Sequence, residues 1–347
     1  MTPDVELAAP RSAPQLLAWS RRHIEPELRS AVDRLPTPLR LIAGYHFGWW
    51  DADGTPLPSG TGGKAIRPAL ALLAAEATSG DSRAGLVGAV AVELVHNFTL
   101  VHDDVIDGDL TRRHRPTAWS VFGSGAAIVA GDALLTLALD VLATSDHPVA
   151  RQATHVLSTA IMDLMQGQYS DVDFERRTDV DLPECVSMAE GKSGALLGCA
   201  SALGAILGGG SNEQTARLRS FGEQLGVAFQ LVDDLLGIWG DPRVTGKPIH
   251  ADLRRRKKSL PVVAALTSGT PAGMQLAELY QRSRPISDAE LVQAAELVEL
   301  AGGRAWCQAR AQDLVAAALE QLHAAVGHSR PAAELAALAQ LAADRDH

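Results

Sequence analysis

Apolar residues recur at helical spacing through almost the whole chain, and this pattern most constrains the possible fold. From residue 64 onward, segments with this spacing alternate with short breaks rich in Gly, Pro and Asp. Only 4% of the residues are aromatic, and Ala and Leu dominate the apolar set. That composition favours helix over sheet. Because no stretch shows the alternation of a half-buried strand, the sequence predicts an all-α fold.

The breaks also give the boundaries of the predicted elements. Helices are predicted over 65–79, 84–108, 117–143, 147–171, 181–208, 212–240, 258–266 and 287–302, with two more between 303 and 345. Residues 21–45 also have helical spacing, 1–20 are predicted to be a loose arm, and 46–63 a loop. No linker or fixed-period repeat interrupts the pattern. We therefore expect one domain over residues 1–347, built as a bundle of long helices.

The net charge excludes one broad class of partner. The 347 residues contain 31 Lys and Arg against 41 Asp and Glu, a formal charge of −10. A protein that binds nucleic acid through bulk charge should be basic, so we expect no nucleic-acid partner. An acidic protein can still bind an anion where basic residues are clustered or where a metal ion bridges to it.

Cysteine usage and apolar runs indicate the compartment. Cys185, Cys199 and Cys307 form no CxxC pair, which argues against a disulfide framework or a structural zinc site and for a reducing cytoplasm. The start of the chain lacks the basic-then-apolar pattern of a signal peptide. The longest uncharged run, 193–210, is rich in Gly, Ala and Ser, which predicts a close-packed internal helix and no stable membrane insertion.

The first of two aspartate clusters lies in VHDDVIDGDLTRRHRPT, residues 101–117. At about 100° per residue, Asp103 and Asp107 share one stripe of a helix and Asp104 lies beside Asp103. Carboxylates on one face repel each other unless water or a hard cation neutralises them. Mg²⁺ takes carboxylate oxygens and leaves coordination sites for phosphate. The motif alone is equally compatible with a solvated acidic helix end.

The second cluster, Asp233 and Asp234, lies in the apolar segment FQLVDDLLGIWGD, residues 229–241. A carboxylate pair among such neighbours carries a large desolvation cost unless it is liganded or faces a cavity. Two clusters on different helices suggest a trinuclear magnesium site between them, which would bridge protein carboxylates to a diphosphate. This arrangement would explain how an acidic protein binds an anion.

Basic residues occur in four places that suit phosphate. Each alone is most simply a solvated surface group, but together with the aspartates they favour two diphosphate pockets. They are Arg112 and Arg113 after the first cluster, Lys64 and Arg67 in GGKAIRP, Lys192 beside Ser193 in EGKSGALL, and Lys247 and Lys257 flanking the stretch GKPIHADLRRRKKSLP.

On these segments, together with ELVHNFT before the first cluster and GDALL, the chain resembles the trans-isoprenyl diphosphate synthases, or polyprenyl synthetases. The motifs occur in the family's order and spacing over about residues 40–265. The resemblance implies a large helical bundle of the isoprenoid synthase type around a central cavity. It also implies a magnesium-dependent prenyltransferase that joins isopentenyl diphosphate to allylic diphosphates by ionisation, 1'-4 coupling and proton loss.

The resemblance also assigns residues to roles. Asp103, Asp104, Asp107, Asp233 and Asp234 match the family's two metal-binding motifs, which implies three Mg²⁺ ions. The allylic diphosphate is expected at the metal with Arg112, Lys192 and Lys247, and isopentenyl diphosphate at Lys64, Arg67, His96 and Arg113, with Lys257 on a nearby flap. Lys192, the Ser193 hydroxyl and Gln230 match positions that contact the allylic end. Family members are mostly homodimers, so we expect one here.

Two positions depart from the family pattern. Ala65 stands where the family often has Arg, and Gly237 stands where the second motif usually has its last Asp. We expect metal binding to survive, with the third metal site looser. The segment YHFGWWDADGTPLPSGTGG has no role that can be derived from its residues.

Two residues before the first motif bear on product length. Thr99 lies four residues before Asp103, about 6 Å further along the helix. Phe98 precedes it. In the family, an aromatic residue followed by a small one at these positions resembles the C20 geranylgeranyl type. A farnesyl (C15) or other chain length is the alternative, since another helix could close the tunnel.

Two further functions compete with this one. A class I terpene cyclase also uses Asp-rich motifs and magnesium, but it needs no second diphosphate pocket. A non-catalytic subunit that tunes a synthase partner typically lacks motif aspartates, whereas the first motif here is intact. A nucleic-acid or membrane role has support only from the basic run at 254–258.

Overall fold

Helices form nearly all the regular structure of the part of the chain described by the computed structural model, residues 9–57, 63, 65–245, 248–282 and 284–343. Across these residues the regular β-structure is one hairpin of two strands, β1 (Thr111–Arg112) and β2 (Arg115–Pro116). The predicted all-α class is therefore confirmed.

The helices follow one another in chain order before and after the short connection at residues 144–149. Those before it are α1 (Ala13–Val32), α2 (Thr37–Phe47), α3 (Ile66–Ser79), α4 (Leu86–Asp107), α5 (Ala118–Phe122) and α6 (Ser124–Ala143), with a 3₁₀ turn at Ser82–Gly85. Those after it are α7 (Ala150–Phe174), α8 (Leu182–Ala189), α9 (Ala195–Leu207), α10 (Asn212–Trp239), α11 (Pro242–Thr245), α12 (Ala251–Arg254), α13 (Leu260–Leu266), α14 (Pro271–Tyr280), α15 (Asp288–Leu300), α16 (Gly303–Val326) and α17 (Arg330–Ala343), with a π-helical turn at Glu190–Gly194.

Several predicted boundaries were wrong. The helix predicted from residue 21 begins at Ala13, so the loose arm is shorter than 1–20, and it breaks before α2 at the sequence Leu35-Pro36. The helix predicted over 117–143 breaks at Gly123, which has φ 88°. The sequence analysis missed α14, although Thr270 caps it and Pro271 begins it.

The chain divides into two compact units, and the first comprises 1–159, 199–219 and 322–338. Its core is built on α3, where every residue from Ala69 to Ala75 is at most 1% exposed. A helix that is apolar on every side must be surrounded, and α1 and α4 both pack against α3. Helix α4 also packs along α6, so the helix that carries the first aspartate motif is held on several sides.

The second unit comprises 160–198, 220–321 and 339–347. One apolar cluster joins the end of α7, α8, α10 and α16 around Cys185, Leu231 and Cys307. A second cluster joins α13, α14 and α15 to Ile238 near the end of α10. Helix α10 is therefore fixed along both sides of its second aspartate motif.

Within the described part of the chain, two helical stretches are long and apolar enough to cross a membrane by length and composition alone, Ser82–Asp107 and Ser124–Ala143. In the first, 67% of the apolar window is buried inside the protein, as in a core helix of a globular domain. The second is only 39% buried and exposes Ile128 and Val129. The internal helix predicted within 193–210 is present as α9.

A buried ion network fixes both ends of the first unit. Glu334 on α17 is fully buried, and its carboxylate accepts hydrogen bonds from Arg11 Nη2 at 2.6 Å and Arg330 Nη1 at 3.1 Å. Arg330 also pairs with Glu76 on α3. Burial alone would raise the pKa of Glu334, but its hydrogen bonds to Arg11 and the charges of Arg11 and Arg330 hold that pKa below its ordinary value.

We expect Glu334→Ala to lower the free energy of unfolding by about 2 kcal/mol at pH 7, because it leaves two part-buried guanidinium groups with only the Glu76 carboxylate to share. The stabilisation by the ionised Glu334 carboxylate is fully present above the pKa of a glutamate in the unfolded chain, about 4.3. It is lost as pH falls through the lower pKa of Glu334 in the folded protein. The difference from wild type, measured by urea unfolding, should therefore shrink below about pH 4. Glu213→Ala is the control: its pair with Arg217 is 74% exposed on the glutamate side, so the loss should stay under about 1 kcal/mol.

Candidate active site

Helix α4 ends on the first aspartate motif. Its apolar residues form the helix, and Gly108, with φ 66°, ends it directly after Asp107. The motif therefore occupies the last turn, where the helix dipole is negative and carboxylates are unfavourable. The last turn contains no basic residue. A cation at this turn would relieve both the dipole and the repulsion between carboxylates.

The motif carboxylates lie at different depths. Asp107 is exposed, Asp103 is half-buried, and Asp104 is 1% exposed. Asp104 Oδ1 accepts a hydrogen bond from Arg112 Nε at 2.7 Å, while Oδ2 is buried without a hydrogen-bond partner. Burial raises the pKa of Asp104 to about 6, although Arg112 opposes the shift. Asp104 is therefore tied to Arg112, and one buried oxygen remains as an acceptor.

The predicted basic pocket is brought together in the first unit. Burial and then the charges of Arg67, Arg113 and Arg112 lower the pKa of His96 well below its ordinary value. His96 is thus neutral at physiological pH, a hydrogen-bond donor among three cations. Such a group of positive charges in a part-buried position favours an anion. Lys64, predicted for the same pocket, lies outside the described residues.

Three residues that interact with these groups were not predicted from the sequence. Buried Glu93 sits close enough to Arg67 and Arg113 for their charges to lower its pKa, although burial outweighs them and raises it. Asn97 Nδ2 donates to Glu93 O at 2.8 Å and Oε1 at 3.2 Å, and Asn97 Oδ1 lies 3.1 Å from His46 Nε2. Burial and the Arg113 charge lower the pKa of His46 to about 3, so the ring is neutral and donates to Asn97. The spacing of Glu93 and Asn97, one helix turn apart, was the available signal.

In the second unit, the two aspartates of the second motif are adjacent on α10 but differ in exposure. Asp233 is exposed, whereas Asp234 is 2% exposed. Asp234 Oδ1 accepts from Gln230 Nε2 at 2.7 Å, and Oδ2 accepts from Leu260 N at 2.9 Å. Burial raises the pKa of Asp234 to about 7. Both oxygens of Asp234 are used inside the protein, whereas Asp233 is the aspartate of this pair that is exposed.

Three predicted residues form one hydrogen-bonded chain. The Ser193 hydroxyl donates to Gln230 Oε1 at 2.5 Å, and Gln230 in turn donates to Asp234. Ser193 lies in the π-helical turn Glu190–Gly194, a feature that recurs at functional sites. The Gln230 amide is therefore fixed at both ends. Lys192 lies in the same turn.

Lys192 and Lys257 converge on Asp171, which the sequence left without a role. Lys192 Nζ lies 2.5 Å and Lys257 Nζ 3.7 Å from Asp171 Oδ2. Burial opposes ionisation of Asp171, but the two lysine charges outweigh it and lower the pKa. Two cations thus share one carboxylate. Lys247 lies outside the described residues.

A carboxylate occupies the space next to Gly237, where the family motif has its last aspartate. A Cβ added to Gly237 would lie 2.1 Å from Asp252 Oδ2. Asp252 also contributes to the raised pKa of Asp234 through its charge. The glycine therefore admits Asp252, from the segment HADLRRRKK, close to the second motif. Only the tertiary structure reveals this pairing.

One groove of the second unit, about 800 Å³, contains none of the predicted site residues. Its walls include Tyr169, Asp173, Glu223 and Arg310. Tyr169 and Asp173 had no assigned role from sequence, and the structure adds none, because the groups with diphosphate chemistry lie elsewhere.

Across the described residues, no three His, Cys, Asp or Glu side chains already converge as a closed metal site. The donors nevertheless fit magnesium. All of them are carboxylate oxygens, those of the first motif stand on a helix end whose dipole disfavours them, and Asp104 Oδ2 is a buried acceptor without a hydrogen-bond partner.

We expect Gly237→Ala to displace the Asp252 carboxylate, because the added methyl overlaps it, and to be less stable than the control below by about 1 kcal/mol, since the end of a flexible side chain can move aside. Thermal unfolding of the full chain measures the change. Gly125→Ala is the matched control, because a Cβ at Gly125 meets nothing within 4 Å. Equal stability of the two variants would contradict the close approach.

Comparisons with known proteins agree with this chemistry. The family model for polyprenyl synthetases matches residues 58–298. A farnesyl diphosphate synthase of Mycobacterium tuberculosis is 46% identical over 99% of this chain and 96% of the relative. A geranylgeranyl diphosphate synthase of the same species is 45% identical over 95% of this chain and 93% of the relative.

Solved structures agree as well. A polyprenyl synthetase from Streptomyces coelicolor superposes with a TM-score of 0.89 at 47% identity, covering 94% of this chain and 98% of that one. A geranylgeranyl pyrophosphate synthetase from Pyrococcus horikoshii gives a TM-score of 0.84 at 29% identity, covering 96% of this chain and 99% of that one. The resemblance seen in the motifs is confirmed: the chain has the isoprenoid synthase fold and belongs to the polyprenyl synthetase family, the trans-prenyl diphosphate synthases.

Proposed function

We propose that this prenyltransferase condenses isopentenyl diphosphate with allylic diphosphates, that it requires magnesium, and that its product is C20 geranylgeranyl diphosphate. The observation that carries the proposal is the group of Arg67, Arg112 and Arg113 around neutral His96, beside the acidic last turn of α4. A cationic pocket for one diphosphate and carboxylates for a metal-bound diphosphate are the two features that a two-substrate condensation needs.

We assign magnesium binding to Asp103 and Asp107 on α4 and to Asp233 on α10, with Asp104, Asp234 and Asp252 in support. We retain the expectation of three ions. The bound metal supplies positive charge that stabilises a leaving diphosphate. Asp104 and Asp234 are buried and hydrogen-bonded, so they orient Arg112 and Gln230 and keep the outward carboxylates in place.

The remaining steps follow from how the protein's own groups bind and orient the substrates. Arg67, Arg113 and the His96 ring hold the diphosphate of isopentenyl diphosphate. When the allylic C–O bond breaks, its electron pair leaves with the diphosphate, toward Arg112 and Lys192. The double bond of isopentenyl diphosphate then attacks C1 of the allylic cation, and the released diphosphate removes the proton that restores a double bond. No protein nucleophile is needed, so catalysis is positioning and electrostatics.

Gln230 is placed to serve the cationic stage. Its amide is locked between the Ser193 hydroxyl and Asp234. A fixed amide dipole does not reorganise when charge develops, which is the condition for electrostatic stabilisation. Lys192 and Lys257 share Asp171, so together they present one net positive charge to the departing diphosphate.

The product length is proposed from α4. Phe98 is 6% exposed and stacks edge-on against His102, with ring centroids 4.7 Å apart. Thr99, one residue nearer the motif, is half-buried, and its hydroxyl donates to His96 O at 2.7 Å. The small side chain of Thr99 leaves room for the growing prenyl chain, and the fixed ring of Phe98 blocks its path more than one helix turn from Asp103. This is the position that a C20 product requires. A C15 product is the alternative.

We also propose a cytoplasmic homodimer. The three cysteines are free and buried, which suits a reducing compartment. Exposed Ile128 and Val129 on α6 suit burial against a second copy. Light scattering on the purified protein measures the mass directly.

Product analysis tests the reaction. Purified protein with Mg²⁺, labelled isopentenyl diphosphate and, separately, dimethylallyl, geranyl or farnesyl diphosphate should yield a C20 product. Asp103→Ala should lower kcat by at least about 10³-fold, because the leaving diphosphate loses its metal contact. Asp132→Asn is the matched control: its carboxylate is 61% exposed on α6, so activity should stay within about twofold of wild type.

Two outcomes would overturn the proposal. A cyclised hydrocarbon from one allylic diphosphate, with no incorporation of isopentenyl diphosphate, would show a terpene cyclase. A folded protein that incorporates no label with any starter would point to a non-catalytic subunit.

The chain-length proposal predicts opposite shifts from neighbouring residues. Phe98→Ala should lengthen the product beyond C20 by removing the ring, and Thr99→Phe should shorten it to C15 or less by adding one. Chromatography of the dephosphorylated products reads out both. Thr99→Ser, which keeps a small hydroxyl side chain, is the control and should leave C20 unchanged. Wild-type products that stop at C15 would contradict the assignment of the stop to Phe98.

A further inference from the structure

The turn that carries Arg112 and Arg113 is strained. Strands β1 and β2 pair Thr111 with Pro116 and Arg112 with Arg115. The two residues between them, Arg113 and His114, have φ of 52° and 62°. Two-residue hairpin turns of this kind favour Gly or Asn, because other side chains are strained at positive φ. A hairpin with strands this short does not hold such a turn by itself.

Arg115 fastens the hairpin to another part of the first unit. Its Nη1 donates to Tyr45 O at 3.1 Å and its Nη2 to Trp50 O at 3.2 Å. The guanidinium carbon lies 4.6 Å from the centroid of the Tyr45 ring. The Tyr45 hydroxyl donates in return to Pro116 O at 2.9 Å. Both residues of β2 are thus bound to the start of the segment 45–57.

The acceptor segment is itself rigid. Trp50 Nε1 donates to Leu41 O at 2.8 Å, and a Cβ added to Gly44 would lie 1.9 Å from the Trp50 indole. The indole therefore lies directly on the backbone of α2. Leu57 N donates to Trp49 O at 2.9 Å and closes the segment. Residues 45–57 are the first part of the stretch YHFGWWDADGTPLPSGTGG, for which no role could be derived from its residues.

These contacts of Arg115 and Tyr45 lie next to the arginines to which the proposed function assigns diphosphate binding. Arg112, Arg113 and Arg115 line one small cleft of about 20 Å³, together with Tyr45 and Asp104. Arg112 is the cross-strand partner of Arg115. A shift of β2 would therefore move the backbone of both phosphate-binding arginines.

We propose that Arg115, held by the carbonyls of Tyr45 and Trp50, is a positioning residue that keeps the strained turn in the conformation that aims Arg112 and Arg113 at diphosphate. The inference rests on the proposed function of those two arginines. It gives the segment 45–57 a role: it is the fixed support for a binding turn, without contact to the substrate.

The test measures binding separately from turnover. Isopentenyl diphosphate is titrated calorimetrically into the full-length protein in buffer with EDTA, so that basic groups alone bind it. Arg115→Lys keeps the charge but cannot span two carbonyls, and it should raise Kd about tenfold through misplacement of the turn. Tyr45→Phe, which loses only the hydrogen bond to Pro116, should raise Kd about threefold.

Arg29→Lys is the matched control. Arg29 stacks over Trp49 of the same segment, with its guanidinium carbon 4.5 Å from the ring centroid, and does not reach the hairpin. Its Kd should stay within about twofold of wild type. Thermal unfolding shows whether each variant is folded. If Arg115→Lys does not fold, the Kd of Tyr45→Phe decides the test.

In steady-state kinetics, Arg115→Lys should raise the KM for isopentenyl diphosphate with a smaller change in kcat, whereas a general loss of structure would lower kcat with the folded fraction. Wild-type Kd in a folded Arg115→Lys variant would overturn the inference. So would weak binding by Arg115→Lys with wild-type binding by Tyr45→Phe, since Arg115 would then contact the diphosphate itself. If the wild-type protein does not catalyse condensation but the Kd values follow the predicted order, the proposed function is refuted and the inference about Arg115 stands.

Discussion

A charged group enclosed by apolar helices loses hydration worth several kcal/mol, and a partner charge or hydrogen bonds must offset that loss. The aspartate motif of each unit is arranged by this constraint. Asp104 is enclosed at the end of α4 and pairs with Arg112, and Asp234 is enclosed on α10 and accepts from Gln230 and Leu260. Each buried aspartate thereby fixes a second polar group, and leaves its neighbour in the motif to face outward.

The same constraint explains the basic groups. His96 and His46 are enclosed among arginines, which keeps both rings neutral, and Glu93 offsets part of the charge of Arg67 and Arg113. In the second unit Asp171 holds two lysines. In both cases the protein balances only part of the positive charge of these groups. The remainder is available to a diphosphate, so a chain with a net charge of −10 still presents local sites for an anion.

The sequence predicted the parts of the site that are local in the chain. The aspartate motifs, the arginines after the first motif, and the helices α4 and α10 all follow from spacing within a few turns. Asp252 beside Gly237 could not be found in this way, because 15 positions separate them and only the packing of α12 near α10 joins them. Asp171 was missed for the same reason: its two lysines come from different segments. The break between α1 and α2 has a local signal, Leu35-Pro36. It was not predicted because the helical spacing of apolar residues continues through it.

Long cationic side chains bind phosphate at an entropic cost, since lysine and arginine each have about 2 kcal/mol of rotamer freedom to lose. In this protein the candidate phosphate-binding groups are held before any ligand arrives: Arg112 by Asp104, and Lys192 and Lys257 by Asp171. Part of the ordering cost therefore belongs to folding instead of to binding. In the proposed reaction such holding also favours catalysis, because groups that are already fixed need not reorganise as the allylic bond breaks. Strain at Arg113 and His114 fits the same logic, for a turn with positive φ persists only where the surrounding contacts fix it.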